Sequence, residues 1–248
     1  MRYFLELSYN GKNYHGWQNQ PNAISVQEVV EKSLSTLLNQ SIAIVGAGRT
    51  DAGVHAKQMF AHFDTEVFFE VIDLIYKLNS FLPKDISVQD IFEVKPDVHA
   101  RFHAVSRAYL YRIALSKDVF TYDESYYVKP DLDLNKMKEA TKLLLGHKDF
   151  QCFSKSNTDV NTYNCYIMTA DWEFVENELQ FRIKADRFLR NMVRAIVGTL
   201  INIGLGKLKV EDMHSILASK NRSEAGFSVP AHGLYLTEVE YPETIKLK

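Results

Sequence analysis

A short polar run between glycines is the part of the sequence best suited to chemistry. It extends from Gly46 to His55 with the sequence GAGRTDAGVH, and it follows an apolar stretch typical of a β-strand. The glycines allow the backbone to turn tightly and to approach a ligand closely. On such a turn, Asp51 is suited to act as a nucleophile or a general base. An Asp in a glycine-rich turn is also a common turn former that hydrogen-bonds its own backbone, so the residues alone leave both interpretations open.

The run lacks the features of the common phosphate-binding loops and metal sites. No Gly-Lys-Ser/Thr follows its glycines, and the third glycine and later acid of a dinucleotide fingerprint are missing. Cys152 and Cys165 have no CxxC spacing and no histidine at ligand spacing, which argues against a structural zinc site and a disulfide framework. The sequence therefore predicts neither a common nucleotide-binding loop nor a metal site.

Two further patterns place like side chains on one face of a predicted element, tyrosines on a strand and arginines on a helix. Tyr109 and Tyr111 alternate on a predicted strand and share a face, where a ring either stacks on a base or packs in the core. Arg187, Arg190 and Arg194 follow the i, i+3, i+7 spacing of one helical stripe, which either reaches a site or is solvated. Of the three arginines, Arg187 and Arg190 are the better candidates for phosphate contacts.

Positive charge is concentrated in two segments. The chain has a net charge of −2, yet Arg101–Lys117 contains four cations and no acid, and Arg182–Arg194 contains five cations and one acid. Such local concentration is what a polyanion needs, whatever the net charge. Two separate solvated faces would explain the same pattern.

The elements that must position these residues follow from hydrophobic periodicity and turn signals. Helices are predicted over 25–38, 69–81, 134–145, 187–203 and 210–217. Strands are predicted over 2–9, 42–45, 59–63, 86–94, 108–115, 167–174, 178–185 and 234–241. Strands close in sequence favour antiparallel pairing, so we expect an α+β fold. We predict two similar subdomains, residues 1–105 with the Asp51 turn and residues 106–248, sharing a mostly antiparallel sheet with a central cleft.

No segment favours a membrane or export. The most apolar stretch, 195–205, is too short and too interrupted by glycine to span a bilayer, which needs about 20 residues. The first ten residues alternate as a strand and make a poor signal peptide. A cytoplasmic location is expected.

Residues 48–56, GRTDAGVHA, are identical to the signature of the tRNA pseudouridine synthases of the TruA family. Other segments resemble that family in the same order: 99–103, 107–112, 149–156, 188–198 and 231–236. The resemblance covers roughly residues 2–241. It implies two RNP- or ferredoxin-like halves around an RNA-binding cleft, a homodimer and no cofactor. One departure is Arg190-Asn191, where several relatives have histidines.

The resemblance also implies a reaction and roles for individual residues. The reaction is isomerisation of uridine to pseudouridine at positions 38, 39 and 40 in the anticodon stem-loop of tRNA. Asp51 resembles the essential nucleophile, and whether it attacks C1′ or adds at C6 stays open. Tyr109 is similar to the tyrosine stacked on the target uracil, and Arg194 to the arginine paired with the carboxylate. Arg49 is similar to the arginine that holds the RNA with its target turned out.

Further candidates for RNA contact are His55, Arg187, Arg190 and Arg107. Two other functions compete with this interpretation. An RNA-binding module shares the basic segments but does not need the complete Gly-Arg-Thr-Asp sequence. A hydrolase that uses Asp51 on a small molecule would need a metal or a phosphate-binding loop.

Overall fold

The computed structural model describes residues 1–156 and 160–247, which contain nine β-strands and five α-helices with mostly antiparallel strand pairing. The strands are β1 (Arg2–Tyr9), β2 (Ile44–Gly46), β3 (His55–Asp64), β4 (Ile86–Val94), β5 (Ser106–Ala114), β6 (Tyr126–Tyr127), β7 (Ile167–Val175), β8 (Glu178–Ala185) and β9 (Leu234–Glu240). The helices are α1 (Val26–Leu38), α2 (Val71–Phe81), α3 (Leu134–Lys142), α4 (Met192–Gly204) and α5 (Asp212–Ser219). The chain divides into two compact units, residues 1–105 with 236–248 and residues 106–235.

The first unit is built on β1, which pairs antiparallel with both β3 and β4. The short β2 pairs with β3 and leads into the glycine-rich run. Helix α1 begins where the Ser25 side chain accepts a hydrogen bond from the Glu28 backbone N–H at 3.1 Å, and it ends at Asn39 in a left-handed conformation. Its apolar face is buried: Val26, Val30, Leu34 and Leu38.

The second unit is built on β8, which pairs antiparallel with both β5 and β7. Helix α3 contacts β7 and α4, and the Trp172 indole N–H of β7 donates to Thr141 Oγ1 at 3.0 Å. Helix α4 is buried on nearly all sides, as its apolar composition indicates. It packs so closely against residues 226–229 that a Cβ on Gly198 would lie 1.8 Å from the Phe227 carbonyl oxygen.

The predicted elements match the observed ones closely, with two exceptions that bear on the candidate site. Strand β3 begins at His55, four residues before the predicted strand. Helix α4 begins at Met192, although the periodicity predicts a helix from residue 187. Asn191 has a φ of 67°, which is left-handed, and its side-chain amide donates to Ser228 Oγ at 2.7 Å. This conformation prevents the helix from extending backward, so residues 187–190 lie outside it.

The C-terminal residues belong to the first unit, whereas the sequence prediction had given all of 106–248 to the second subdomain. The Val239 backbone N–H donates to Gln58 Oε1 at 2.9 Å, and the Val105 N–H donates to the Glu240 carbonyl at 2.8 Å. The arrangement of two similar subdomains around a central cleft stays a prediction. Across residues 1–156 and 160–247, no helix combines the length and apolarity that a membrane crossing requires.

Candidate active site

Asp51 lies in the loop of residues 47–54 that joins β2 to β3, called here the Asp51 loop. The Val54 backbone N–H donates to the Asp51 carbonyl at 3.2 Å, and Gly53 has a φ of 77°, so the chain reverses tightly just after the carboxylate. The Asp51 side chain is half-buried, while Ala52 beside it is exposed. Asp51 thus stands in a tight turn and is still partly open to solvent.

The segment of residues 9–17, called here the clamp segment, fixes the backbone of the Asp51 loop. The Trp17 N–H donates to the Thr50 carbonyl at 3.3 Å, and the Gly53 N–H donates to the Tyr14 carbonyl at 3.2 Å. At the end of the loop, the Gly11 N–H donates to His55 Nδ1 at 3.1 Å. Backbone groups on both sides of Asp51 are therefore held by one stretch of chain more than thirty residues away.

Glycines allow the clamp segment to approach this closely. A Cβ on Gly16 would lie 2.3 Å from the Thr50 carbonyl oxygen, and one on Gly11 would lie 2.0 Å from the Val54 carbonyl oxygen. Gly16 also has a φ of 92°, a conformation that side chains rarely adopt. Any larger residue at these two positions would push the Asp51 loop away.

One hydroxyl pair completes the contact between the two segments, and a second tyrosine hydroxyl holds the clamp segment to Asp85. The buried Tyr9 hydroxyl and Thr50 Oγ1 share a hydrogen bond of 2.9 Å, directly before Asp51. The Tyr14 hydroxyl donates to Asp85 Oδ1 at 2.6 Å, and burial together with this bond raises the pKa of Tyr14. No motif or periodicity in the sequence predicts the clamp segment. Its only available signals were two glycines and three aromatic rings within nine residues.

Two neighbours of Asp51 differ sharply in exposure. Arg49 is exposed, and its side chain makes no hydrogen bond or ion pair with any residue that the structure describes. His55 is only 2% exposed and accepts the Gly11 N–H through Nδ1. The His55 ring therefore supports the loop, and its predicted RNA contact would require the ring to become exposed.

In the second unit, the two tyrosines of β5 share one face, as the alternation predicts. Tyr111 is fully buried, and its hydroxyl donates to the Pro230 carbonyl at 2.8 Å. Burial raises the pKa of Tyr111, and the charge of Arg194 acts in the opposite direction. Tyr109 is half-buried and meets the Phe188 ring edge-on, with 5.1 Å between ring centroids. Tyr111 thus belongs to the core, and the Tyr109 ring retains some exposure.

Arg194 lies in the first turn of α4, where a positive charge opposes the helix dipole. Its Nε–H donates to the Val229 carbonyl at 2.7 Å, and the Val229 N–H donates back to the Arg194 carbonyl at 3.2 Å. The first bond holds the side chain at Nε, and the second holds the backbones of Arg194 and Val229 together. A cation kept at the unfavourable end of a buried helix is suited to a functional role better than to a stabilising one.

The predicted arginine stripe is wrong because Arg187 and Arg190 precede α4. The Arg187 backbone N–H donates to Asp186 Oδ1 at 2.7 Å, and the exposed Arg190 accepts the Lys155 N–H through its carbonyl at 3.0 Å. Arg107, on β5, donates from Nη1 to the Asp186 carbonyl at 2.9 Å. The structure thus brings Arg107 and Arg187 together at Asp186.

Acidic partners reduce the positive charge of the two basic segments. Arg112 donates from Nε and Nη2 to the two carboxylate oxygens of Glu178, both at 2.8 Å, and from Nη1 to Glu124 at 3.2 Å. Arg182 pairs with Glu173 at 3.2 Å. These two arginines therefore have carboxylate partners within the second unit. Throughout the described chain, no group of three or more His, Cys, Asp or Glu residues is arranged to hold a metal ion.

Comparison with known proteins gives a consistent result. A family model described as tRNA pseudouridine synthase matches residues 7–103 and 140–242, which include Asp51 and Arg194 but not Tyr109. A protein of Bacteroides thetaiotaomicron is 50% identical over 247 residues, covering 98% of this chain and 92% of its own length. One of Parabacteroides distasonis is 49% identical over 245 residues, with 98% and 97% covered, and one of Bacillus pumilus is 40% identical over 245 residues, with 97% and 99% covered. All three are named tRNA pseudouridine synthase A.

Proposed function

The chain belongs to the tRNA pseudouridine synthase family, whose members are isomerases, and from this premise we propose that it converts uridine to pseudouridine at positions 38, 39 and 40 in the anticodon stem-loop of tRNA. The bond between N1 and C1′ breaks, the uracil turns, and C5 joins C1′. Nothing is oxidised and no group is imported, so the reaction takes place without a cofactor. Asp51 supplies the reacting carboxylate, by attack at C1′ or by addition at C6.

One observation carries this proposal: the backbone on both sides of Asp51 is fixed by the clamp segment, while the side chain stays partly open. A nucleophile is effective when its approach to the reacting carbon is set before the substrate arrives. A carboxylate that only formed a turn would not need three hydrogen bonds from a distant segment and two glycines at close approach. This favours a reacting group over a turn former.

The other site residues take the roles that the family resemblance implies. Tyr109 stacks on the target uracil, for which its half-buried ring is suited, and such a stack is worth about 1–3 kcal/mol. Arg194 pairs with the reacting carboxylate, which would keep the carboxylate ionised and oriented. Arg49, exposed beside Asp51, supports the RNA while the target nucleotide is turned out, a step that costs a few kcal/mol.

The remaining parts of the proposal concern partners. Arg107, Arg187 and Arg190 contact the RNA backbone or its bases, and the RNA lies in a cleft between two similar subdomains. His55 joins these contacts only if RNA binding exposes its buried ring. The enzyme acts as a homodimer in the cytoplasm, where its tRNA substrate is found.

The test is to incubate the purified protein with unmodified tRNA transcripts, without added metal or nucleotide, and to map pseudouridine by position. We expect modification confined to positions 38–40 and its loss in Asp51→Asn with tRNA binding retained. Asp73→Asn, an exposed carboxylate on α2 paired with Lys77, is the matched control and should modify as the wild type does. If the wild-type protein binds the transcripts without modifying them, the chain is an RNA-binding module and the proposal is wrong.

A further inference from the structure

Three aromatic rings form a row from the interior of the first unit to its surface. His62 on β3 is buried, and its ring centroid lies 4.8 Å from that of His99. The His99 ring lies 4.3 Å from that of Phe102, with 33° between the planes. Phe102 is 74% exposed. The row thus ends in an aromatic side chain that is supported from below and open to solvent.

The backbone around Phe102 is held by imidazole acceptors, although the segment lies at the surface. The Ala100 N–H donates to His62 Nδ1 at 3.1 Å, the Arg101 N–H to His99 Nδ1 at 3.1 Å, and the His99 N–H to His103 Nδ1 at 3.0 Å. A nitrogen that accepts a hydrogen bond must be unprotonated. Burial, with the charges of Arg2 and His99, lowers the pKa of His62 to about 4, and burial also lowers the pKa of His99. Both rings are therefore acceptors at neutral pH.

A cation lies over the exposed ring, and it must swing aside for a base to stack on that face. The Arg101 guanidinium carbon lies 5.7 Å from the Phe102 ring centroid, near the outer limit of a cation–π contact. An aromatic face next to a guanidinium is the combination that binds a nucleotide of single-stranded RNA, because the base stacks and the phosphate is neutralised. A protein partner would instead favour a broad apolar patch.

This ring lies far from Asp51 within the first unit. Asp51 is hydrogen-bonded to Val54, directly before β3 begins at His55, whereas the row of rings starts at His62, seven residues further along the same strand. At a rise of about 3.3 Å per residue, the two points on β3 are about 23 Å apart. A nucleotide bound at Phe102 is therefore not the nucleotide that reacts at Asp51.

We propose that Phe102 and Arg101 form a second contact for the RNA substrate, in which an unpaired base stacks on Phe102 and Arg101 binds its phosphate. The inference rests on the proposed action on tRNA. The contact positions the RNA without touching the reacting atoms, so it affects binding and leaves the chemical step unchanged.

The test measures single-turnover pseudouridine formation on a tRNA transcript as a function of protein concentration, which separates half-saturation from the maximal rate. Phe102→Leu keeps the apolar volume but removes the π-face, and we expect half-saturation to rise about 5- to 150-fold, the loss of one base stack. The maximal rate at saturating protein should stay within twofold of wild type. Phe102→Trp, which retains a π-face, should bind as the wild type does.

The salt dependence of RNA binding distinguishes the contribution of Arg101 from that of Phe102. Arg101→Gln should reduce the slope of log affinity against log salt by about 0.7, the release of one counterion from a single strand. Phe102→Leu should leave that slope unchanged. The matched control is Phe68→Leu, an 80% exposed phenylalanine of the same unit outside the row of rings, which should alter neither quantity.

The inference is overturned if Phe102→Leu reaches half-saturation at the wild-type protein concentration, or if Phe68→Leu raises that concentration as much as Phe102→Leu does. In either case, continued pseudouridine formation would still support the proposed reaction. A change in the solution mass of Phe102→Leu would place the ring in a contact between protein copies and would also overturn it. If the wild-type protein forms no pseudouridine, the proposed reaction fails. A filter-binding titration of the same transcripts then still decides whether Phe102 binds RNA.

Discussion

At the scale of single residues, Gly16 determines how closely the clamp segment approaches the Asp51 loop. In Gly16→Ala, the new Cβ would start 2.3 Å from the Thr50 carbonyl oxygen at a φ of 92°, so both sterics and backbone conformation oppose the change. We expect the free energy of unfolding to fall by about 1–3 kcal/mol and pseudouridine formation to fall at least tenfold, because the loop must shift. Urea unfolding and the modification assay measure the two effects.

Gly48→Ala is the matched control for stability. Its two chain neighbours aside, no atom of the described residues lies within 4 Å of its added Cβ, and its φ is not positive. Its free energy of unfolding should stay within about 0.5 kcal/mol of wild type. Equal losses of stability in the two variants would show that close approach at Gly16 does not determine the loop position.

The sequence predicted the residues of the Asp51 loop better than it predicted their support. Asp51 and Arg49 are adjacent in one short run, so residue type and local spacing were sufficient to select them. The roles of Tyr9, Tyr14 and Trp17 depend on contacts with residues more than thirty positions away. Such contacts leave no local pattern in the sequence. The exposure of His55 was equally unpredictable, because it depends on where the clamp segment packs.

His62 makes the stability of the first unit depend on pH, and the direction of its pKa shift determines the sign of that dependence. Its pKa is about 4 in the folded protein, below the ordinary value of 6.5. Between these values the unfolded chain binds a proton that the folded protein does not bind. The free energy of unfolding should therefore fall as pH decreases from about 6.5 to about 4. Thermal melts across this range should show a shallower dependence in His62→Asn, whose amide oxygen can accept the Ala100 N–H without titrating. An equally steep dependence in that variant would exclude His62 as the source.

At the scale of elements, helix propensity and close packing favour different residues at position 198 of α4. Alanine in a helix interior is favoured over glycine by about 1 kcal/mol. In Gly198→Ala, however, the Cβ would lie 1.8 Å from the Phe227 carbonyl oxygen, so α4 and residues 226–229 would have to separate. Because the backbone gives way less readily than a side chain, we expect a net destabilisation of about 1–3 kcal/mol in urea unfolding.

Gly204→Ala provides the comparison on the same helix. Its Cβ would first meet Met137 Sδ at 2.6 Å, and a methionine side chain can move aside. The loss of stability should be smaller than in Gly198→Ala. A stabilised Gly198→Ala would mean that helix propensity outweighs the close packing.

Element boundaries were predictable where a capping or turn signal lies next to the end of the element. The strand Ile86–Val94 was predicted to the residue, and α1 to within one residue, because capping and turn signals lie next to them. The start of α4 was not predictable. It depends on the left-handed Asn191, whose amide reaches Ser228 from thirty-seven positions earlier in the chain. The two-residue strand β6 has no period to detect.

At the scale of the whole molecule, the chain returns to the first unit after completing the second. Order along the sequence suggested two successive subdomains, whereas contacts place residues 236–248 with residues 1–105. The reason is specific packing: the Tyr241 ring meets Phe4 and Phe60, at 5.1 and 5.3 Å between centroids, and its hydroxyl donates to the Ala100 carbonyl. The order of elements along the sequence does not predict that the last strand packs against the first unit.

This connectivity predicts that deletion of residues 236–248 destabilises the first unit. The deletion removes the Tyr241 ring from the core around Phe4, together with the backbone bond between Val105 and Glu240 and the bond from Val239 to Gln58. In hydrogen exchange, amides of β1 and β3 should lose protection by a factor of ten or more, since burial of one aromatic ring alone contributes about 1.5–3 kcal/mol. Tyr241→Phe, which retains the ring and loses only the hydroxyl, should lose much less. Unchanged protection of β1 and β3 in the deletion variant would show that the first unit is complete without the returning strand.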